Sequence, residues 1–262
     1  MEAIKHMTRG LDPTKWTVRV HGEVLADLES KIQPPHTALV IIDMQNDFCE
    51  VGGLMADEGV DLQPVQEMAK QVMTVLDAAR RVGVLVVFVR NVYSTESNWY
   101  LSDPWLEVAS RRYSGESYTQ RDACPPDSWK ADFYGDVRPL PSDPVVTKHR
   151  YSAFYSTDLD LILRNHGIRT VVMVGVATNV CVETSVREAF VRDYYVVVPH
   201  DATAAYSPDA YEASLRNVAM HFGQVVAAED ILTAWSALDP AKDPADVSSR
   251  PGPARCGSVV VN

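Results

Sequence analysis

Six short runs of this chain are apolar without alternating. They are Thr37-Ala-Leu-Val-Ile-Ile-Asp43, Val84-Leu-Val-Val-Phe-Val89, Pro144-Val-Val-Thr-Lys148, Thr170-Val-Val-Met-Val174, Tyr195-Val-Val-Val198 and Gln224-Val-Val-Ala227. A strand with one wet face alternates apolar and polar residues; a run that is apolar throughout suits a strand covered on both faces, as in a parallel sheet. Parallel neighbours need crossover connections, and helical patterns stand between most of the runs. Leu62, Val65, Met68, Ala69, Val72, Leu76 and Ala79 fall on one helical face, with Gly83 as its stop. Asp158–Asn165, Val180–Asp193, a segment opened by Ser207-Pro208 and running to about Phe222, and Asp230–Leu238 read as further helices. The expected fold is α/β: one doubly wound, mainly parallel six-stranded sheet with helices on both faces, a Rossmann-like three-layer sandwich.

Residues 37–238 carry this pattern. Residues 1–36 are polar and Pro-punctuated and read as an N-terminal extension, with Trp16–Val20 as a short strand or arm. Residues 239–262 read as a C-terminal arm or tail. Inside the domain, 92–143 lacks sustained periodicity and is rich in Trp, Tyr and Pro. A stretch that long is usually functional. It is expected to lie over the active site with one short helix near Asp103–Arg112. Its aromatics (Trp99, Tyr100, Trp105, Tyr113, Tyr118, Trp129) either line a pocket or pack the insertion on the body.

A net charge of −11 over 262 residues argues against nucleic acid and anionic membrane surfaces as partners. No apolar stretch is long enough to span a bilayer, and the N-terminus lacks a signal-peptide core. Cys49, Cys124, Cys181 and Cys256 are scattered without paired spacing, which points to a reducing, cytoplasmic setting.

The chemistry concentrates in Thr170–Thr184. A strand is broken by Gly175, Thr178 and Asn179 are helix N-cap types, and Cys181 follows in the first helical turn. Unpaired N–H groups there stabilise a thiolate, lower the thiol pKa and can receive an oxyanion. Position alone leaves two readings, a nucleophile or a small buried hydrophobe. In open parallel sheets ligands bind beyond the carboxyl ends of the strands. Asp43, Lys148 and Cys181 each follow an apolar strand, so one rim receives a carboxylate, an amine and a thiol. Together they make an acid/base–nucleophile set, with Asp43 taking the thiol proton and Lys148 fixing the carboxylate. His149, next to Lys148, points elsewhere by strand alternation.

The stretches Ala38-Leu-Val-Ile-Ile-Asp43-Met-Gln-Asn-Asp-Phe48, Thr147-Lys148, Gly175-Val-Ala-Thr-Asn-Val-Cys181 and Asp201-Ala-Thr resemble the isochorismatase-like cysteine hydrolases. Arg90-Asn91, Lys148–Thr157 and Ala177–Glu183 resemble the ureidoacrylate amidohydrolases among them, and Asp47–Gly53 is similar to biuret hydrolases. The resemblance implies a Cys181–Asp43–Lys148 triad and a cis peptide between Val176 and Ala177. That peptide sets the Ala177 and Cys181 N–H groups as an oxyanion hole. It places Asn91 and Tyr151 against a ureido group, and Arg90 or Arg150 is left to meet a substrate carboxylate. It also implies a homo-oligomer, dimer or tetramer.

Nicotinamidases of this superfamily hold a metal through an Asp and several His after the second strand. Here Arg90–Glu96 contains no His, so neither a metal nor another cofactor is expected. The expected activity is hydrolysis of a C–N bond in a small ureido or carbamoyl compound through an acyl-enzyme. The alternatives are a biuret, triuret or N-carbamoyl amino acid substrate and, in another class, a redox-sensing thiol in a binding protein.

Overall fold

Successive residues of the first strand part company. Leu39 and Ile41 enter one apolar layer, while Ala38, Val40 and Ile42 enter the other. The same division runs along Thr170–Val176, where Val172, Val174 and Val176 face one side and Val171 and Met173 the other. Side chains alternate across a strand, so an unbroken apolar run is what a sheet with two covered faces requires.

The computed structural model of the protein describes residues 12, 22–93, 99–111 and 123–239. The strands are β1 (Thr37–Ile42), β2 (Leu85–Asn91), β3 (Val145–Lys148), β4 (Thr170–Val176), β5 (Tyr195–Pro199), β6 (Thr203–Ala204) and β7 (Gln224–Val226). Their order is β3-β2-β1-β4-β5-β7, with β6 pairing the far end of β4, and every pairing between named strands is parallel. The chain winds outward from β1 to β3, then starts again on the other side of β1. The order therefore reverses between β1 and β4, the point where such sheets open a crevice.

Gln63–Val82 and Ala228–Ser236 cover one face; Leu159–Asn165, Glu183–Phe190 and Pro208–Asn217 cover the other. Gly83 closes the 20-residue Gln63–Val82 helix in the left-handed conformation (φ +78°). The Ser207 hydroxyl caps Pro208–Asn217 at the Ala210 N–H. Ahead of β1, Leu25 and Ile32 are buried on the body, and Trp235 Nε1 donates to Ile32 O at 2.8 Å.

The six expected strands are present, and among the described residues a seventh, Thr203–Ala204, joins the sheet. β4 leaves β5 after Val172, and Thr203–Ala204 takes the vacated edge opposite Gly175 and Val176. Three other expectations need correcting. Gly175 does not break β4, which runs on to Val176. Neither Thr178 nor Asn179 caps a helix: a π-helical turn occupies Thr178–Val182 and the α-helix begins at Glu183. The segment before Phe222 likewise ends in a π turn, Val218–Phe222. Among the insertion's described residues one helix spans Asp103–Ala109. Trp16–Val20, Tyr113, Tyr118, Cys256 and the tail from residue 240 lie outside the described residues.

Candidate active site

Gly175 decides the path at the end of β4. Its φ is +108°, and a Cβ there would stand 2.1 Å from Ile42 O in the neighbouring strand. Only glycine lets the two backbones pass so closely. The Val176–Ala177 peptide that follows is cis.

Hydroxyls then brace the turn. Thr203 Oγ1 donates to Gly175 O at 2.8 Å and lies 2.8 Å from Thr178 Oγ1. Its single hydrogen is already used, so Thr178 is the donor between the two. Ser214 Oγ donates to Thr178 O at 3.2 Å, and Ser185 Oγ to Cys181 O at 2.6 Å. Thr178 thus serves the turn through its side chain, which is why it is not a cap.

The sulfur of Cys181, held by that turn, meets two groups from other strand ends. Lys148 Nζ lies 2.8 Å from Asp43 Oδ2 and 3.5 Å from Cys181 Sγ, and donates to Arg150 O at 3.0 Å. The ammonium thus donates to Arg150 O and to the sulfur while it pairs with the carboxylate. Asp43 sits just past β1 with φ +53°, its carboxylate close enough to Cys181 for each to shift the other's titration. Asp43 is 1% exposed and Lys148 is not exposed at all, so neither shares its charge with water.

Burial pushes the Asp43 carboxyl up, against the pull of the Lys148 ammonium. Burial acts downward on Lys148, but the Asp43 carboxylate outweighs it and holds the amine protonated. The Cys181 thiol is pushed up to about 12, by burial first and by the Asp43 charge, with Lys148 opposing. This overturns the expectation of a thiol acidified by a helix N-terminus. The residue lies in a π turn, and burial beside the Asp43 carboxylate favours the neutral S–H form.

A cavity of about 150 Å³ opens beside the sulfur. Asp43, Asn91, Tyr151, Ala177 and Cys181 line it, while Lys148 stands behind them. Two expected residues are elsewhere. Arg90 Nε donates to Thr147 Oγ1 on β3, because consecutive residues of β2 face opposite ways and Asn91 takes the inward position. Arg150 Nη1 donates to His149 O at 2.7 Å and also bonds Tyr100 O. His149 stacks on Tyr100 and bonds Val92 O, away from the cavity.

Phe48, Met55, Asn179, Val180, Tyr206 and Ser207 also line the cavity, and sequence reasoning named none of them as a site residue. Phe48 stands inside the motif ending at Phe48, and Tyr206 shortly after Asp201-Ala-Thr, so motif proximity was their only signal. Tyr206 OH donates to Phe48 O at 2.9 Å and joins the loops after β1 and β6 into one wall.

None of the insertion's described residues lines the cavity. Its contribution is support. Asp47, fully buried, accepts from the Leu54 and Cys124 N–H groups and pairs with Lys130 at 3.7 Å. Asn46 donates to Trp129 O. Trp105 packs edge-on to Tyr93 and lies 6.1 Å, ring to ring, from Tyr151. Among the described residues no group of three or more His, Cys, Asp and Glu side chains is arranged to hold a metal. Nor is any described helix long and apolar enough to cross a membrane.

The isochorismatase domain matches residues 37–230, three quarters of the chain, ending within the closing helix. This chain belongs to the isochorismatase family. The chain is 33% identical over 222 residues to the ureidoacrylate amidohydrolase of Agrobacterium fabrum, covering 81% of this chain and 95% of that protein. Solved isochorismatase-like folds superpose on it. One is a cysteine hydrolase from Pseudomonas syringae pv. phaseolicola 1448A (TM-score 0.65, 26% identity, 79% of this chain and 96% of that one). Another is the N-carbamoylsarcosine amidase of Thermoplasma acidophilum (TM-score 0.57, 27% identity, 74% and 97%). In this isochorismatase-family chain the crevice at the β1/β4 reversal is where Asp43, Lys148 and Cys181 meet.

Proposed function

We propose that this chain is a hydrolase of linear, non-peptide C–N bonds, acting on a small ureido or carbamoyl compound through the Cys181 sulfur. The observation that carries the reading is one continuous contact chain: Asp43 to Lys148 at 2.8 Å and Lys148 to Cys181 at 3.5 Å, on the wall of a cavity.

Asp43 takes the Sγ proton as the sulfur attacks the substrate carbonyl carbon. A raised thiol pKa makes a base necessary, and a carboxyl pushed up by burial is better matched to that proton. Lys148 keeps the pair near neutrality as charge moves from carboxylate to sulfur. The N–H groups of Ala177 and Cys181 receive the carbonyl oxygen as it becomes an oxyanion. The C–N bond then breaks, and Asp43 returns its proton to the leaving nitrogen. Water attacks the acyl–sulfur bond, Asp43 accepts its proton and passes it to sulfur, and the acid product leaves. Asn91 and Tyr151 contact the ureido group. No step needs a metal or an organic cofactor.

The named relatives support a ureidoacrylate-like or N-carbamoyl substrate; biuret and triuret carry the same N–CO–N unit. The working form is a homo-oligomer in the cytoplasm. An ammonia-release assay over ureidoacrylate, biuret, N-carbamoylsarcosine and size-matched carboxamides tests the reading. Turnover of a ureido compound is expected, falling by about 10³-fold or more in Cys181→Ser. Wild-type turnover retained in that variant overturns it.

A further inference from the structure

β1 and β2 run in register from Ala38↔Leu85 to Ile42↔Val89, and the Asp43 N–H still reaches Val89 O at 3.0 Å. There β1 turns away, at the positive φ of Asp43, and the Gln45 N–H folds back on Asp43 O at 2.8 Å. β2 goes on for two residues, paired on its other side with β3 through Arg90↔Thr147 and Asn91↔Lys148. On the β1 side, Asn91 has lost its strand partner.

The Gln45 carboxamide replaces it. Gln45 Oε1 accepts from the Asn91 N–H at 2.7 Å, and Gln45 Nε2 donates to Asn91 O at 2.9 Å. Its second Nε2 hydrogen goes to Ala131 O at 2.8 Å. Gln45 is not exposed and Asn91 is 2% exposed. A side-chain amide thus extends the ladder by one rung where the backbone cannot, and ties that rung to the insertion.

Asn91 lines the cavity; the Tyr93 hydroxyl lies against its carboxamide, but its buried Oδ1 accepts no hydrogen bond from the described residues. A buried acceptor left open costs free energy until a donor arrives. We propose that Gln45 is a positioning residue. By clamping the Asn91 main chain it aims Asn91 Oδ1 at the N–H that a ureido carbonyl carries in place of the alkyl group of a carboxamide. It thereby sets the preference for N–CO–N over C–CO–N substrates. The inference rests on the hydrolase reading above. A site that hydrogen-bonds a substrate N–H discriminates strongly against an analogue lacking it, because the protein group stays unpaired.

The test uses Gln45→Glu, which keeps the acceptor for the Asn91 N–H but turns oxygen toward Asn91 O and Ala131 O, and Gln45→Met, which removes the clamp without charge. KM and kcat are measured for a ureido substrate and a carboxamide of matched size, alongside Cys181 alkylation by iodoacetamide. For the ureido substrate kcat/KM is expected to fall about tenfold or more, mostly through KM. The carboxamide and the alkylation rate should change less than about threefold. Equal losses on both substrates, or no loss, overturn the positioning role while leaving the hydrolase reading intact. A wild type inactive on the whole panel sinks both. If neither variant is soluble, hydrogen exchange of the Asn91 amide in the wild type decides. Protection matching the β1–β2 ladder supports the clamp, and fast exchange overturns it.

Discussion

The Lys148 ammonium donates to the Cys181 sulfur at 3.5 Å, although the two residues come from strands three places apart in the sheet. Two more strands, β2 and β1, run between them, and β1 supplies the carboxylate on which the ammonium also closes. The sulfur is therefore poised between a positive and a negative charge, and each partner shifts it in the opposite direction.

That opposition makes Asp43→Asn informative. Removing the carboxylate removes a contribution that raises the thiol pKa and leaves the lowering one from Lys148. Iodoacetamide should alkylate Cys181 faster at pH 7–8 in Asp43→Asn than in the wild type, because the thiolate fraction rises. Ammonia release should fall by about 10³-fold or more if Asp43 is the base proposed above. Slower alkylation in the variant would remove Asp43 as the group that holds the thiol neutral.

Lys148→Met leaves the Asp43 carboxylate buried and unpaired. Breaking one side of a buried ion pair typically costs about 3–5 kcal/mol, to be read from urea unfolding. The double variant Asp43→Asn/Lys148→Met removes both charges and should recover most of that loss. A single variant as stable as the wild type would show that the pair is not closed in the folded protein.

The raised thiol also sets a pH window. The folded state holds the Cys181 proton up to about 12, whereas an unfolded chain releases it near the ordinary value of 9.0. The native state then binds more protons than the unfolded one, and stability falls as pH rises. The contribution is whole below pH 9 and lost between 9 and about 12. Cys181→Ser lacks the titrating group, so its stability should decline less steeply above pH 9. Parallel curves for the two proteins would contradict the raised pKa.

Gly175→Ala places a methyl 2.1 Å from Ile42 O at a φ of +108°. Backbone conflict and an unfavourable φ act together, and a loss of at least about 3 kcal/mol is expected. It should appear as poor soluble yield and a lowered Tm. Thr203→Val keeps the shape but leaves Gly175 O and the Thr178 hydroxyl without their partner. About 1–3 kcal/mol should be lost, and turnover should fall with it, since the same hydroxyl holds the turn carrying Cys181. Full activity in Thr203→Val would separate the brace from the chemistry.

Much of the layout was legible along the chain. Unbroken β-branched runs marked the strands because burial on both faces leaves no polar positions, and Asp43, Lys148 and Cys181 stood out because each follows such a run. Thr203–Ala204 was not legible as a strand, since two residues carry no period. The π turn was hidden too: Thr178 and Asn179 look like caps until Thr203 and Ser214 claim the Thr178 side chain and carbonyl.

Local pattern and composition determined which segments become strands and helices, that the sheet is parallel, and which three reactive side chains reach its carboxyl rim. Those properties depend on near neighbours in the chain and on a period that can be counted. Only the tertiary structure decided that the thiol pKa is raised rather than lowered, that Asn91 rather than Arg90 faces the cavity, and that Phe48 and Tyr206 close its wall while the insertion's described residues support it from outside. A buried charge acts through distance and solvent exclusion. Both arise from residues such as Asp43, Lys148 and Cys181, which lie more than 30 positions apart in the chain and are adjacent only once the sheet is wound.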